Sequence, residues 1–296
     1  MKVAVTGASG LIGSALVAHL RGRGDDVVRL VRREAQAPDE VSWEPSRGLI
    51  DLDGLAGTEG VVHLAGAGVG DQRWTPRYQK KILDSRYLGT RTIARAMTML
   101  DPKPRVLVSG SAIGFYGDRG EEELTESSLP GIGFLSDVTQ AWEGATEPAR
   151  AAGIRVVLTR TSLVMAAHGG AFGKQMPLAK LGLSGPLGSG QQWWSWMTLQ
   201  DDVRARAFLL DNDAVSGPVN LAAPQPHRQR DVAAAIGRAA HRPAVVPVPE
   251  FALRVALGGF AGEVLASQRV LPTVLKRAGF RYDHPDIDSA ARWLLR

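Results

Sequence analysis

Residues 6–13 read TGASGLIG, and this short stretch decides how the whole chain is read. Gly7, Gly10 and Gly13 recur every third residue. They follow Lys2–Thr6 (KVAVT), an apolar run that reads as a strand, and they open Leu11–Arg23, which reads as a helix. A glycine turn in that setting lets the backbone approach a pyrophosphate. The helix N-terminus supplies N–H groups and the positive end of its dipole, and the last glycine allows close helix–strand packing. An ordinary glycine turn is the bland alternative, and the strand–turn–helix context argues against it. The stretch predicts a dinucleotide site formed by Thr6, Gly7, Ser9, Gly10, Leu11, Ile12 and Gly13.

The next strand, Asp26–Val31 (DVVRLV), ends in Arg32 and Arg33. A site for NAD usually carries an acidic residue there, about 20 residues past the glycines, to hold the ribose 2′-hydroxyl. Arginine at that place suits a 2′-phosphate, by charge and by paired hydrogen bonds. The expected cofactor is therefore NADP(H), with Arg32 and Arg33 as the selecting pair; a solvated basic pair is the competing view.

Further along, β-branched runs alternate with helical patterns. Gly60–Leu64, Arg105–Ser109 and Arg155–Thr161 read as strands, and Pro76–Leu100 and Asp137–Ala152 as helices. Nearly continuous apolar strands separated by helices imply a parallel sheet covered on both faces. After residue 165 the rhythm breaks into a glycine-rich stretch with aromatic and basic residues. Asp201–Asp211 then reads as a helix and Gly217–Leu221 as a last strand. The predicted fold class is α/β: a Rossmann, doubly wound parallel sheet with a smaller, mostly helical C-terminal substrate lobe. The expected division is 1–165 plus 200–224 for the dinucleotide-binding domain and 166–199 plus 225–296 for the lobe.

Composition narrows the function classes. The 296 residues are 44% apolar, enough for a large core. Absence of cysteine excludes disulfides, thiolate metal sites and a cysteine nucleophile, and suits the cytoplasm; no metal site is expected. MKVAVTGASG does not read as a signal peptide, and no apolar run is long enough for a membrane span. The net charge is +5, but no basic run exceeds Arg32-Arg33 or Lys80-Lys81, so a nucleic-acid partner ranks last.

These motifs resemble the extended branch of the short-chain dehydrogenase/reductase superfamily. VVHLAG (Val61–Gly66) is similar to the segment that lies along the cofactor, which adds Leu64, Ala65 and Gly66 to the expected contacts. RYLGTRTI resembles a helix element usually read N-x-x-G-T, with Arg86 where asparagine is expected. VSGSAIGFYGD resembles the strand-end serine motif, and LTE (Leu124–Glu126) follows as in sugar-nucleotide epimerases. RWTPRYQKKILDSR, the stretch from GGAFGKQ to TLQDD and the tail SQRVLPTVLKRAGFRYDHPDI resemble one subfamily. It comprises atypical, NAD-dependent epimerase/dehydratase-like proteins with a C-terminal domain of unknown function. The resemblance spans essentially the whole chain and implies a Rossmann fold, a bound NADP-type cofactor and a small-molecule substrate.

In that superfamily a tyrosine, a lysine four residues later and an upstream serine carry the proton chemistry, the lysine charge lowering the tyrosine pKa. Ser111 matches the serine, with Ser109 on the same strand as a cofactor contact. Alignment through Glu143 puts Leu135 at the tyrosine and Thr139 at the lysine position, and none of Tyr78, Tyr87, Tyr116 and Tyr282 has a lysine four residues on. Tyr116 is the substitute proton carrier considered, against a packed aromatic. His168, Lys174, Gln191 and Trp193 are the expected substrate contacts; Arg160 could meet an anion or merely an acidic neighbour. Two readings stand: an NADP(H)-dependent oxidoreductase or epimerase acting on a small, sugar-nucleotide-like carbonyl or alcohol, or a non-catalytic NADP(H)-binding regulatory or redox-sensing protein. The two long helices through which extended relatives often pair make a homodimer the expected assembly.

Overall fold

The fold was obtained as a computed structural model, which describes residues 1–296 apart from the side chain of Lys174. Eight strands form the central sheet: β1 (Lys2–Thr6), β2 (Asp26–Val31), β3 (Glu40–Glu44), β4 (Leu49–Ile50), β5 (Gly60–His63), β6 (Val106–Ala112), β7 (Arg155–Thr161) and β8 (Gly217–Leu221). Their spatial order is β8-β7-β6-β5-β1-β2-β3-β4, parallel throughout except for the antiparallel edge strand β4. The chain runs outward one way from β1 and the other way from β5. The switch between these halves lies between β1 and β5, and in such sheets ligands bind beyond the carboxyl ends of the strands at that switch.

Each face of the sheet is buried. On one, α1 (Leu11–Gly22) and α6 (Leu199–Asp211) cover Val3, Val5, Val62, Val108 and Val157. On the other, α2 (Pro76–Met99) and α4 (Glu147–Ala151) cover Ala4, Val61, Leu107 and Val156. Strands buried on both sides have no polar face to show, which is why they read as continuous apolar runs.

The helix starts follow capping chemistry. Thr75 accepts the amide hydrogen bond of Tyr78, with Pro76 at the first helical position, and opens α2. Thr198 accepts from Asp201 and opens α6. On α6, Asp202 pairs with Arg206 one turn on, both side chains sealed from solvent. Arg206 also donates to the hydroxyls of Thr159 and Thr161, at 2.7 Å each, and so ties α6 to β7.

Three expectations are corrected. The helix read over 137–152 is two helices, α3 (Phe134–Gly144) and α4. The glycine-rich stretch after 165 contains α5 (Gly170–Lys180), packed through Phe172 and Met176 into a second core with Trp194, Trp196 and the helix α7 (Gln229–Ala239). The parallel strand β3 was not anticipated: its glutamates and tryptophan mask its apolar positions. Leu275 and Phe280, from the C-terminal segment, join the core under the sheet. No helix among the described residues is long and apolar enough to cross a membrane.

Candidate cofactor and active site

The glycine turn is built by exclusion. Gly7 has φ +68°, and a Cβ there would stand 2.8 Å from the Leu64 carbonyl carbon and 2.9 Å from the Ala65 nitrogen. A Cβ on Gly13 would fall 2.1 Å from the Gly7 carbonyl oxygen. The loops after β1 and β5 therefore touch backbone to backbone. No side chain caps α1 at Gly10, and no acidic residue sits in its first turn. Its first N–H groups have no intrahelical partner, so the turn offers free donors beside partly buried Leu11, Ile12, Leu64 and Ala65 and exposed Ser9, Gly10 and Gly66.

Thr6 differs from expectation. It is fully buried, and its hydroxyl accepts from the amides of Leu64 and Ala65 while pairing with His63 Nδ1 at 2.8 Å. Its work is to lock the two loops together rather than to face a ligand. With both amides donating to the hydroxyl, its proton goes to His63 Nδ1, leaving the ring proton on Nε2, which has no partner. Burial holds the His63 pKa down at about 3, so the ring is neutral.

At the end of β2 the two arginines separate. Arg33 lies on Glu40, with 2.8 and 2.7 Å contacts to the two carboxylate oxygens. This hydrogen-bonded pairing holds the Glu40 carboxyl at about 2. Arg32 is exposed and makes no hydrogen bond or ion pair among the described residues. It borders a cavity of about 790 Å³ that runs along α2 past Tyr78, Lys81 and Ser85.

Beyond the carboxyl ends of β6 and β7 the polar groups are interlocked. Ser111, 3% exposed, donates to Glu143 Oε1 at 2.7 Å. Glu143 holds Arg160 through both oxygens, at 2.8 and 3.0 Å. The Arg160 guanidinium lies 3.5 Å from the centre of the Phe115 ring and donates to the Tyr116 hydroxyl, which donates in turn to Asn220 Oδ1 at 2.7 Å. Arg160 thus meets an acidic neighbour. Tyr116, considered as a proton carrier, has a ring with no exposed surface and a hydroxyl with partners on both sides, and burial raises its pKa. Ser109, expected as a cofactor contact, lies inside the sheet. It is fully buried in mid-sheet, paired to His63 on β5 and Leu158 on β7.

The start of α3 is as bare as its sequence. Leu135 packs against Gly114, and the Thr139 hydroxyl donates to the carbonyls of Leu135 and Ser136 at 2.9 Å each. An aromatic cover that was not foreseen stands beside it. Trp74 packs against Phe134 at 5.0 Å and against Phe260 at 5.8 Å between ring centres, joining the loop after β5, the start of α3 and the C-terminal lobe. Aromatic residues 60 and more positions apart carry no local signal of meeting.

The four expected substrate contacts do not converge. His168 is exposed in the turn before α5, where Gly169 and Gly170 adjoin the Leu11 side chain; this places it by the phosphate turn. Trp193 is held elsewhere, between Arg228 and Arg269 at 4.1 and 4.6 Å, with its indole N–H on Glu121. Gln191 is exposed next to it, its carbonyl taken by Arg228. Lys174 lies outside the described residues.

A family model described as the NAD dependent epimerase/dehydratase family matches residues 3–222, and a second, described as a domain of unknown function, matches 248–294. An epimerase family protein of Mycobacterium leprae is 39% identical over 97% of this chain and 94% of its own length. The Arabidopsis thaliana homologue of epimerase family protein SDR39U1, chloroplastic, is 34% identical over all of this chain and 87% of its own. The crystal structure of human SDR39U1 with NADPH superposes with a TM-score of 0.89 at 28% identity, over 99% of both chains.

Proposed function

Since the chain belongs to the NAD-dependent epimerase/dehydratase family, we propose that it binds NADP(H) across the switch between β1 and β5 and acts on a small carbonyl or alcohol, sugar-nucleotide-like in class. The observation that carries the cofactor choice is the division of labour at the end of β2. Glu40 occupies Arg33, and Arg32 stands open beside the cavity. A free guanidinium is the group suited to a 2′-phosphate. The NADPH bound to the human relative supports the choice.

In this reading the pyrophosphate rests on the first turn of α1 over Gly10–Gly13, and Leu64–Gly66 line the dinucleotide. When bound, the nicotinamide supplies hydride transfer. Ser111 is the polar group at the end of β6, oriented by Glu143, which Arg160 keeps in place. Trp74, Phe134 and Phe260 form an aromatic wall beside the start of α3. The substrate contacts proposed from the sequence are kept only as two separate groups, His168 by the phosphate turn and Gln191 with Trp193 on the lobe. A homodimer through α2 and α3, in the cytoplasm, completes the proposal.

One observation favours a second reading, in which NADP(H) is bound without turnover for regulation or redox sensing. Neither Leu135, Thr139 nor the sealed Tyr116 can move a proton at the site. Two measurements separate the readings and test the first. Arg32→Ala weakens NADPH by about 10- to 100-fold, the scale of a lost charge-assisted contact, with little change for NADH, whereas Arg33→Ala has a small effect on both. Equal losses for NADPH and NADH in Arg32→Ala overturn the 2′-phosphate assignment. NADPH binding with no oxidation across a panel of aldehydes, ketones and nucleotide sugars selects the second reading.

A further inference from the structure

Arg86 is a cation in this cleft that no side chain neutralises. It projects from α2 at the position where the related helix motif has asparagine. Its Nη1 donates to the carbonyl oxygens of Ala67, at 2.9 Å, and Ile82, at 3.2 Å. No carboxylate comes within ion-pair distance among the described residues, and the titrating groups that its charge meets are the phenol of Tyr78 and the neutral ring of His63. Burial pulls its pKa down to about 10, so it remains charged at neutral pH. Nε and Nη2 make no hydrogen bond among the described residues, yet they are not sealed inside the protein. A largely desolvated guanidinium without a counter-charge is costly, and it has three N–H donors, on Nε and Nη2, left to offer.

The position of Arg86 says what completes it. A Cβ on Gly66 would stand 3.3 Å from the Arg86 Cζ, which places the guanidinium at the loop after β5. It lies 5.0 Å from the centre of the Trp142 ring. That ring fills the space over Gly110 of β6, where a Cβ would come within 2.7 Å of it. Arg86 therefore stands over the ends of β5 and β6, on the side of the switch opposite to Arg32. Trp142 is three residues past Thr139, so the two are neighbours on one face of α3. Thr139 stands at the position that the resemblance to the superfamily gives to its lysine.

We infer that Arg86 supplies from α2 the positive charge that α3 lacks at Thr139, and that its open edge binds an anionic oxygen in the β5–β6 half of the cleft. The chemistry is a phosphate or carboxylate oxygen, whether it belongs to the dinucleotide or to the substrate. A guanidinium holds its proton, so Arg86 binds and stabilises charge and leaves proton transfer to another group. The inference deepens the NADP(H) reading and rests on it for the dinucleotide arm.

The test uses the full chain with Arg86→Met, Arg86→Gln and Arg86→Lys, each checked for fold by circular dichroism and melting temperature. Arg86→Gln keeps a donor for the Ala67 carbonyl and carries the comparison if Arg86→Met does not fold. Two probes are read: fluorescence titration with NADPH, and the melting-temperature gain of NADPH-saturated protein on adding inorganic phosphate at constant ionic strength. A dissociation constant for NADPH raised 10-fold or more in the neutral variants, and partly recovered in Arg86→Lys, marks a cofactor anion. Loss of the phosphate-induced gain with NADPH affinity unchanged marks a substrate anion. Folded neutral variants that match the wild type with both probes overturn the inference. A wild type that fails to bind NADPH overturns the cofactor reading instead, and the phosphate response without NADPH then still tests Arg86.

Discussion

Single residues acquire their roles from what they touch. Arg32 and Arg33 are adjacent and chemically identical, but Glu40 takes one and leaves the other free. The sequence shows the pair and not the partner, because Glu40 reaches it through the pairing of β3 with β2. His63 shows the same dependence. Its folded pKa, about 3, lies below the ordinary histidine value of about 6.5 because the ring is buried. The neutral ring is therefore worth stability that is complete above about 6.5 and is lost as pH falls toward 3, since the unfolded chain takes up a proton that the folded chain refuses. The groups around the ring are Thr6, Trp43, Gly89 and Arg86, none of them acidic. His63→Gln is expected to flatten the fall of the urea midpoint between pH 6.5 and 4 relative to wild type. Parallel slopes for the two proteins would show that His63 is not the group responsible.

Elements were legible in proportion to how much their sequence is set by burial. Strands β1, β2, β7 and β8 fall at the residues their apolar runs indicate, because a parallel strand covered on both faces tolerates little else. Strand β3 and helix α5 were hidden: the first carries charge at its ends, the second sits among glycines with Pro177 inside it. Helix α6 was found by pattern, but its hold on β7 was not. Arg206 reaches Thr159 and Thr161 only because Asp202 neutralises it in a site from which both side chains are sealed. Arg206→Met leaves Asp202 buried without its partner and is expected to cost about 3–5 kcal/mol, read as a lower urea midpoint at unchanged slope. Asp202→Asn with Arg206→Met together should recover part of that loss, because no buried charge then remains unpaired; a double variant as unstable as the sum of the singles refutes the pairing.

On the scale of the molecule, the two arginines Arg32 and Arg86 stand on opposite sides of the β1–β5 switch, and the start of α5 and the C-terminal segment reach its borders. Gly169 and Gly170 adjoin Leu11 at the head of α1, and Phe260 meets Trp74, which packs in turn on Phe134. A dinucleotide lying across the switch would join these parts. NADPH is therefore expected to slow amide hydrogen exchange at residues 7–14, 64–70 and 166–175 together, with little effect on α7. Protection confined to residues 7–14 would mean that the lobe takes no part in holding the cofactor.

By itself the sequence determined the strand–helix alternation of the parallel sheet apart from β3 and α5, the glycine turn and the want of a tyrosine–lysine pair at Leu135 and Thr139. These are local facts: strand periodicity, the room a glycine leaves, and the identity of two side chains. The tertiary structure decided which polar groups are free. Tyr116, Ser109 and Thr6 bear functional chemistry in sequence and are packed or spent on neighbours in the fold, while Arg86 reads as a departure from a motif and stands as an uncompensated charge in the cleft. A residue's partners come from strands and helices tens of residues away. Whether its charge is neutralised is a property of that assembly and not of its own stretch of chain.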